Sequence, residues 1–268
     1  MKTVLLSFDL EEFEMPQEYG KIIPFEEQIA ISARGTEIIL DILHEHHVPA
    51  TFFCTAVFAS HATDLISRLT QEGHEIASHG YTHSTFKNEH LLESRIELKK
   101  ISGQSVVGFR MPRMMPVEND AIQRAGYTYD SSLNPVYLPG RYNNIMKPRT
   151  WFRTHSLIHV PASAIPLFRF PLFWLSFHHL PLWLYKAACR YTIHYDRYLN
   201  IYFHPWEFIE LTPIAYGLPK FLSKNSGAKM IGRFQSWIRW MKGQEYAFTT
   251  IAQFVASRQP DSQKDAFG

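Results

Sequence analysis

An α/β domain built as a distorted or incomplete (β/α) barrel is what this sequence predicts, and three observations carry the expectation. Strand-like and helix-like segments alternate along most of the chain. No Gly/Ser-rich or Pro-rich linker divides the 268 residues, a length that one large core can serve. Polar and charged residues recur at the ends of the strand-like runs, where a barrel gathers its working groups on one face.

The elements follow in order. VLLSF (residues 4–8) is the first apolar run. Arg34 to His47 carries apolar residues at 38, 39, 42 and 43, the stripe of a helix. VPATFFCTAVF then reads as an extended run, ATDLISRLTQEG as a helix, HEIASHG as a strand, and NEHLLESRIELKKI as a charged helix. SVVGFRMP and YTYDSS read as strands around the short helix ENDAIQRAG. SLIHV and LNIYFHP follow as strands, and MIGRFQSWIRWM and FTTIAQFVAS as a closing pair of helices. Parallel neighbours need crossover connections of this size, so the alternation implies a parallel sheet covered by helices. The expected catalytic domain spans residues 1–255, with the polar stretch 256–268 as a disordered tail.

Composition narrows the function. Basic residues exceed acidic ones by two and form no stripe with interleaved aromatics, which argues against nucleic acid as a partner. Cys54 and Cys189 lie in apolar surroundings far apart in the chain, as reduced, buried thiols do, and no signal-peptide core follows Met1; both point to the cytoplasm. Residues 166–185, PLFRFPLFWLSFHHLPLWLY, are heavily aromatic. Prolines 166, 171 and 181, with Arg169, His178 and His179, exclude a transmembrane helix. Two readings stay open for this stretch: a hydrophobic cover on the barrel, or an exposed patch touching a membrane surface or a lipid-linked substrate.

The chemistry-bearing residues cluster at strand ends. SHGYTH places His79 and His83 four residues apart, where two imidazoles can meet one metal ion with a carboxylate from elsewhere. SFDLEEF ends the first strand with three acids. Side chains alternate with period two, so a strand continuing through residue 11 puts Asp9 and Glu11 on one face and Glu12 on the other. Glu12 is then a solvated or salt-bridged loop acid, and whether Glu11 or Glu12 reaches a metal stays open if the strand stops sooner. Arg110 follows VVGF, and His204 follows LNIYF.

SFDLEEF, EIASHGYTHS, VVGFRMP, YTYDSS and YFHPWE, in that order between residue 3 and about residue 208, resemble the polysaccharide deacetylases, carbohydrate esterase family four with its NodB-like domain. The branch it resembles has Asp-x-Glu in the first motif and His-Pro-Trp-Glu in the last. The resemblance implies a TIM-like (β/α) barrel, a divalent metal with zinc as the expected ion, and removal of N-acetyl groups from an amino sugar in a polysaccharide or glycan intermediate. It implies Asp9 as general base, His204 as general acid, Arg110 as the holder of the base, and Asp130 as the group that orients the histidine. Glu11, His79 and His83 become the metal ligands, and Tyr81, Arg113 and Trp206 the sugar contacts. The third motif departs from the family's Arg-Pro-Pro-aromatic-Gly, reading Arg110-Met111-Pro112-Arg113-Met114, so its oxyanion donor is in question. Two alternatives remain: hydrolysis of another C–N bond such as a ureide, or a glycan-binding relative without turnover.

Overall fold

The first apolar run becomes the centre of the sheet. In the computed structural model, which describes residues 2–211 and 213–258, β1 is Thr3–Leu10, β2 Thr51–Cys54, β3 Glu75–Ser78, β4 Gly108–Phe109, β5 Tyr129–Asp130, β6 Tyr137–Leu138, β7 Tyr142–Asn143, β8 Phe152–Thr154, β9 Leu157–His159, β10 Tyr198–Phe203 and β11 Ala247–Thr249. The main sheet runs β10-β1-β2-β3-β4-β5-β9-β8, and β11 also pairs with β1. All its ladders are parallel except the antiparallel β8–β9 pair. One edge of β1 is shared: β11 takes Thr3–Leu5 and β2 takes Ser7–Leu10.

This is the expected barrel in its incomplete form, since β10 and β8 do not pair. The opening is tied across by Asn200 of β10, whose Nδ2 donates to the carbonyls of Val160 (3.0 Å) and Pro161 (3.1 Å).

Period-two alternation sorts β1 as the sequence suggests. Val4, Leu6, Phe8 and Leu10 join the large cluster under the helices, whereas Leu5 packs with Phe53, Ala77, Tyr129 and Ile158 inside the barrel. Asp9 shares the inner parity. A fully buried Leu or Phe contributes roughly 1.5–3 kcal/mol, so a one-residue slip that exchanged these sets is strongly disfavoured.

Three expectations need correction. FTTIAQFVAS is not one helix: its Phe248 and Thr249 belong to β11, and only Ile251–Ala256 is helical, capped by Thr250. TAVF does not continue the extended run: β2 stops at Cys54, and Thr55 caps the helix Ala56–His61 by accepting the Phe58 N–H at 3.1 Å. The first helix starts well before Arg34, at Phe25 behind Pro24, and ends at His46. Midway along it, Gly35 lies against the turn Pro205–Phe208, so closely that an added Cβ would sit 2.0 Å from the Pro205 carbonyl oxygen. No helix among the described residues is long and apolar enough to cross a membrane. The polar tail, from residue 259 onward, lies outside the described residues.

Candidate active site

Parallel strands end on a common edge, and four of them deliver side chains there. Asp9 is the last but one residue of β1, His79 follows β3, Arg110 follows β4 and His204 follows β10. A cavity of about 330 Å³ opens over that edge, lined by Asp9, Glu11, His79, His83 and His204 on one side and by Met114, Tyr142, Phe173 and Trp174 on the other.

Glu11, His79 and His83 converge. Glu11 Oε2 stands 3.0 Å from His79 Nε2 and 3.1 Å from His83 Nε2, and one ligand atom from each residue lies within 4.8 Å of the others. Both rings are held from behind. His79 Nδ1–H donates to the Arg110 carbonyl at 2.9 Å, and His83 Nδ1–H to Glu14 Oε2 at 3.2 Å. With Nδ1 engaged from behind, Nε2 is the nitrogen each ring turns toward Glu11 and would offer to a metal, the arrangement that metal-bound histidines show. Burial pushes the Glu11 carboxyl up, but His83 and then His79 outweigh it, leaving Glu11 lowered to about 2 and anionic at neutral pH. Burial pushes the His83 pKa down, but Glu11 and Glu14 outweigh this and raise it. One carboxylate and two imidazole nitrogens are a donor set that fits a divalent ion such as zinc and leaves a position for water.

Asp9 and His204 flank this set. Arg110, fully buried, donates from Nη1 to Asp9 Oδ1 at 2.5 Å and from Nη2 to Ser131 Oγ at 3.0 Å, with its guanidinium 4.0 Å over the Phe53 ring. The other Asp9 oxygen is 3.9 Å from His204 Nε2. His204 is fixed by Glu207: its Nδ1–H and its backbone N–H both donate to Glu207 Oε1, at 2.9 and 2.6 Å. The second Glu207 oxygen accepts from His178 Nε2 at 2.8 Å. Burial drives the His204 pKa down, yet the Glu207 carboxylate, joined by Glu11 and Asp9, outweighs this and raises it. Glu207 is held below its ordinary value, chiefly by His178 and His204 overcoming the cost of burial.

Several sequence assignments shift. Asp130 does not orient His204; it accepts from His159 Nδ1 at 3.1 Å and from Ser132. Trp206 is buried and stacks on His204 at 4.9 Å, so it backs the histidine instead of facing a sugar. Tyr81 packs at 5.5 Å on His90 and does not line the cavity. Glu12 is buried, not solvated: it accepts from Thr55 Oγ1 at 2.8 Å, and desolvation raises its pKa. Because Glu12 turns to Thr55 while Glu11 meets the histidines, the choice between them falls on Glu11, although β1 ends at Leu10. Arg113 does line the cavity, paired at 3.1 Å with Glu18, which also holds Arg141 at 3.0 Å. In the altered third motif the Met111 N–H donates to Ser132 Oγ at 2.8 Å and is not offered to the cavity.

Glu207, Glu14 and His178 are the groups that the site adds. Glu207 was within reach of sequence reasoning, three residues past His204 in the turn HPWE, a capping-box position. Glu14 and His178 carry no such signal.

Comparison with known proteins adds a family to this geometry. Residues 2–129 match the polysaccharide deacetylase family. The match takes in Asp9, Glu11, His79, His83 and Arg110, covers just under half of the chain, and bears out the resemblance in the sequence. A chitooligosaccharide deacetylase of Bradyrhizobium sp. (strain ANU 289) is 46% identical over 48 residues, 18% of this chain and 22% of that protein; the alignment thus spans about a fifth of the relative's length. A "probable polysaccharide deacetylase" of Pseudomonas aeruginosa PAO1 superposes with a TM-score of 0.66 at 14% identity, over 94% of this chain and 88% of its own. PuuE allantoinase gives 0.62 at 16% identity over the same shares. At such identities the two structures share their fold with this chain and do not distinguish substrates.

Proposed function

We propose that the protein is a metal-dependent carbohydrate N-deacetylase, hydrolysing acetamide groups of an amino sugar in a polysaccharide or a glycan intermediate. The observation that carries this is the meeting, in one cavity, of the Glu11/His79/His83 set with two differently supported acid–base groups, Asp9 on Arg110 and His204 on Glu207. A divalent ion held by Glu11, His79 and His83, with zinc suited to their donors, would supply polarisation of the amide carbonyl and acidification of water.

The chain's own groups do the rest. Arg110 holds Asp9 by one oxygen and leaves the other at the cavity beside His204, where Asp9 takes a proton from the attacking water. His204 enters as imidazolium, since Glu207 favours that form, and delivers its Nε2 proton to the departing sugar nitrogen. Trp174, perpendicular to the His204 ring at 5.3 Å, and Trp206, stacked on it at 4.9 Å, hold the imidazole in place. Arg113 and Arg141, braced by Glu18, offer donors to sugar hydroxyls at the rim. The free, buried Cys54 and Cys189 suit a reducing compartment, so the cytoplasmic side of glycan assembly is the proposed place of action, with lipid-linked intermediates among the candidate substrates.

The test is acetate release from N-acetylglucosamine oligomers by metal-loaded protein, with allantoin as a competing amide. Acetate from the oligomers and no turnover of allantoin supports the proposal. Turnover of allantoin alone moves the assignment to ureide hydrolysis, and bound metal with neither reaction to a glycan-binding role.

A further inference from the structure

Between Asp130 and Asp196 the sequence contains no acidic residue, and seven Lys or Arg fall inside that interval. With those seven set aside, 20 basic residues face 25 acidic ones in the remainder, so positive charge is concentrated in this stretch of the sequence, although Arg149 and Arg141 are paired in space with Asp196 and Glu18.

The aromatic part of this interval divides in two. Leu172, Phe173 and Phe177 turn inward and are buried, the cover that the sequence suggested. Leu167 and Phe168 go the other way and are 84% and 80% exposed. The turn that carries them is closed by the Ala164–Pro171 bridge and by the Arg169 N–H donating to the Ile165 carbonyl at 2.9 Å. Leu167 and Arg169 adopt φ of +68° and +50°, a left-handed backbone disfavoured for side chains of this size. Arg169 then fastens the turn to a second loop, donating from Nη1 to the carbonyls of Pro135 (3.1 Å) and Lys147 (2.8 Å). On that loop Tyr137, Ile145 and Met146 are also exposed, Met146 at 92%. Leu138, Arg141 and Tyr142 of the same loop line the cavity.

Single exposed apolar residues are ordinary. Six on two loops pinned together, counting Phe170, with exposed Lys147 and with Arg169 met only by carbonyls between them, have the composition of an interfacial contact; Arg141 beside them is paired with Glu18. Apolar groups enter at headgroup depth while cations meet anionic headgroups. A second copy of this chain fits poorly, because a two-fold contact would set this basic surface against itself.

We infer that this face docks on a membrane surface bearing anionic headgroups and holds the mouth of the cavity at the interface. The role of that mouth in admitting a lipid-linked glycan rests on the deacetylase reading of the site; the docking does not. The experiment is co-sedimentation of the full chain, without substrate, with vesicles of phosphatidylcholine alone or mixed with phosphatidylglycerol. Retention on the mixed vesicles, weakened by salt, is expected, with at least about ten-fold weaker partitioning for the double variant Leu167→Ser/Phe168→Ser. That variant should keep wild-type circular dichroism and wild-type acetate release from soluble oligomers. No retention on anionic vesicles, or equal retention of variant and wild type, would overturn the inference. So would a concentration-dependent dimer in sedimentation velocity that the two substitutions abolish, which would assign the face to a second copy.

Discussion

Replacing Glu207 by Gln isolates the charge behind His204 while keeping size and hydrogen-bonding shape. In the wild type the carboxylate accepts from the His204 Nδ1–H and backbone N–H on one oxygen and from His178 on the other. It favours the imidazolium against the opposing effect of burial. Hydrogen bonds to a charged partner contribute roughly 1.5–3 kcal/mol against about 0.5–1.5 for neutral ones, so losing the charge removes about 1.5 kcal/mol from the protonated form. At 1.36 kcal/mol per pH unit, the His204 pKa should fall by about one unit. Because His204 acts as an acid, the fraction competent at neutral pH falls with it. The alkaline limb of kcat/KM for acetate release should therefore move about one unit to lower pH. A variant that folds, by circular dichroism, and keeps its alkaline limb in place would refute the assignment of Glu207 to His204.

Other consequences follow from the same contacts. Glu14→Gln withdraws the carboxylate behind His83 and should weaken metal binding about 10–100-fold in chelator competition, with the fold intact. Arg110→Met leaves Asp9 buried without its counter-charge and should lower unfolding free energy in urea by about 3–5 kcal/mol, beyond any loss of activity. Gly35→Ala drives a methyl into the Pro205 carbonyl and should displace the His204 turn. It is expected to lose acetate release along with about 1–3 kcal/mol of stability, whereas Gly232→Ala, where an added Cβ meets no atom within 4 Å, should keep both.

Much of this was legible in the sequence because it follows from local periodicity. Alternation in SFDLEEF puts Asp9 and Glu11 on one face without knowledge of any partner strand, and the helix-strand rhythm implies the parallel sheet. The metal set was legible as well, since His79 and His83 are close in sequence and Glu11 obeys the parity of β1 even past the strand's end. What stayed hidden depends on long-range packing. His178 lies in an aromatic stretch that hydrophobicity reads as cover, and only the approach of the HPWE turn gives it Glu207 as a partner. Asp130 sits one residue from Ser131, the support of Arg110, yet the side chain it meets is His159 from the neighbouring strand, a pairing that strand order alone decides. Glu12 looked solvated because surface acids usually are. Its burial depends on Thr55, a residue placed there by a helix where an extended run was expected.

The central claim is that Asp9 performs chemistry beside a metal that Glu11, His79 and His83 hold without it. Acetate release by Asp9→Asn, assayed on N-acetylglucosamine oligomers at a metal content matched to wild type, tests this most directly. The account predicts a variant that binds its metal stoichiometrically and releases no acetate above background. Release at the wild-type rate with metal bound would contradict it.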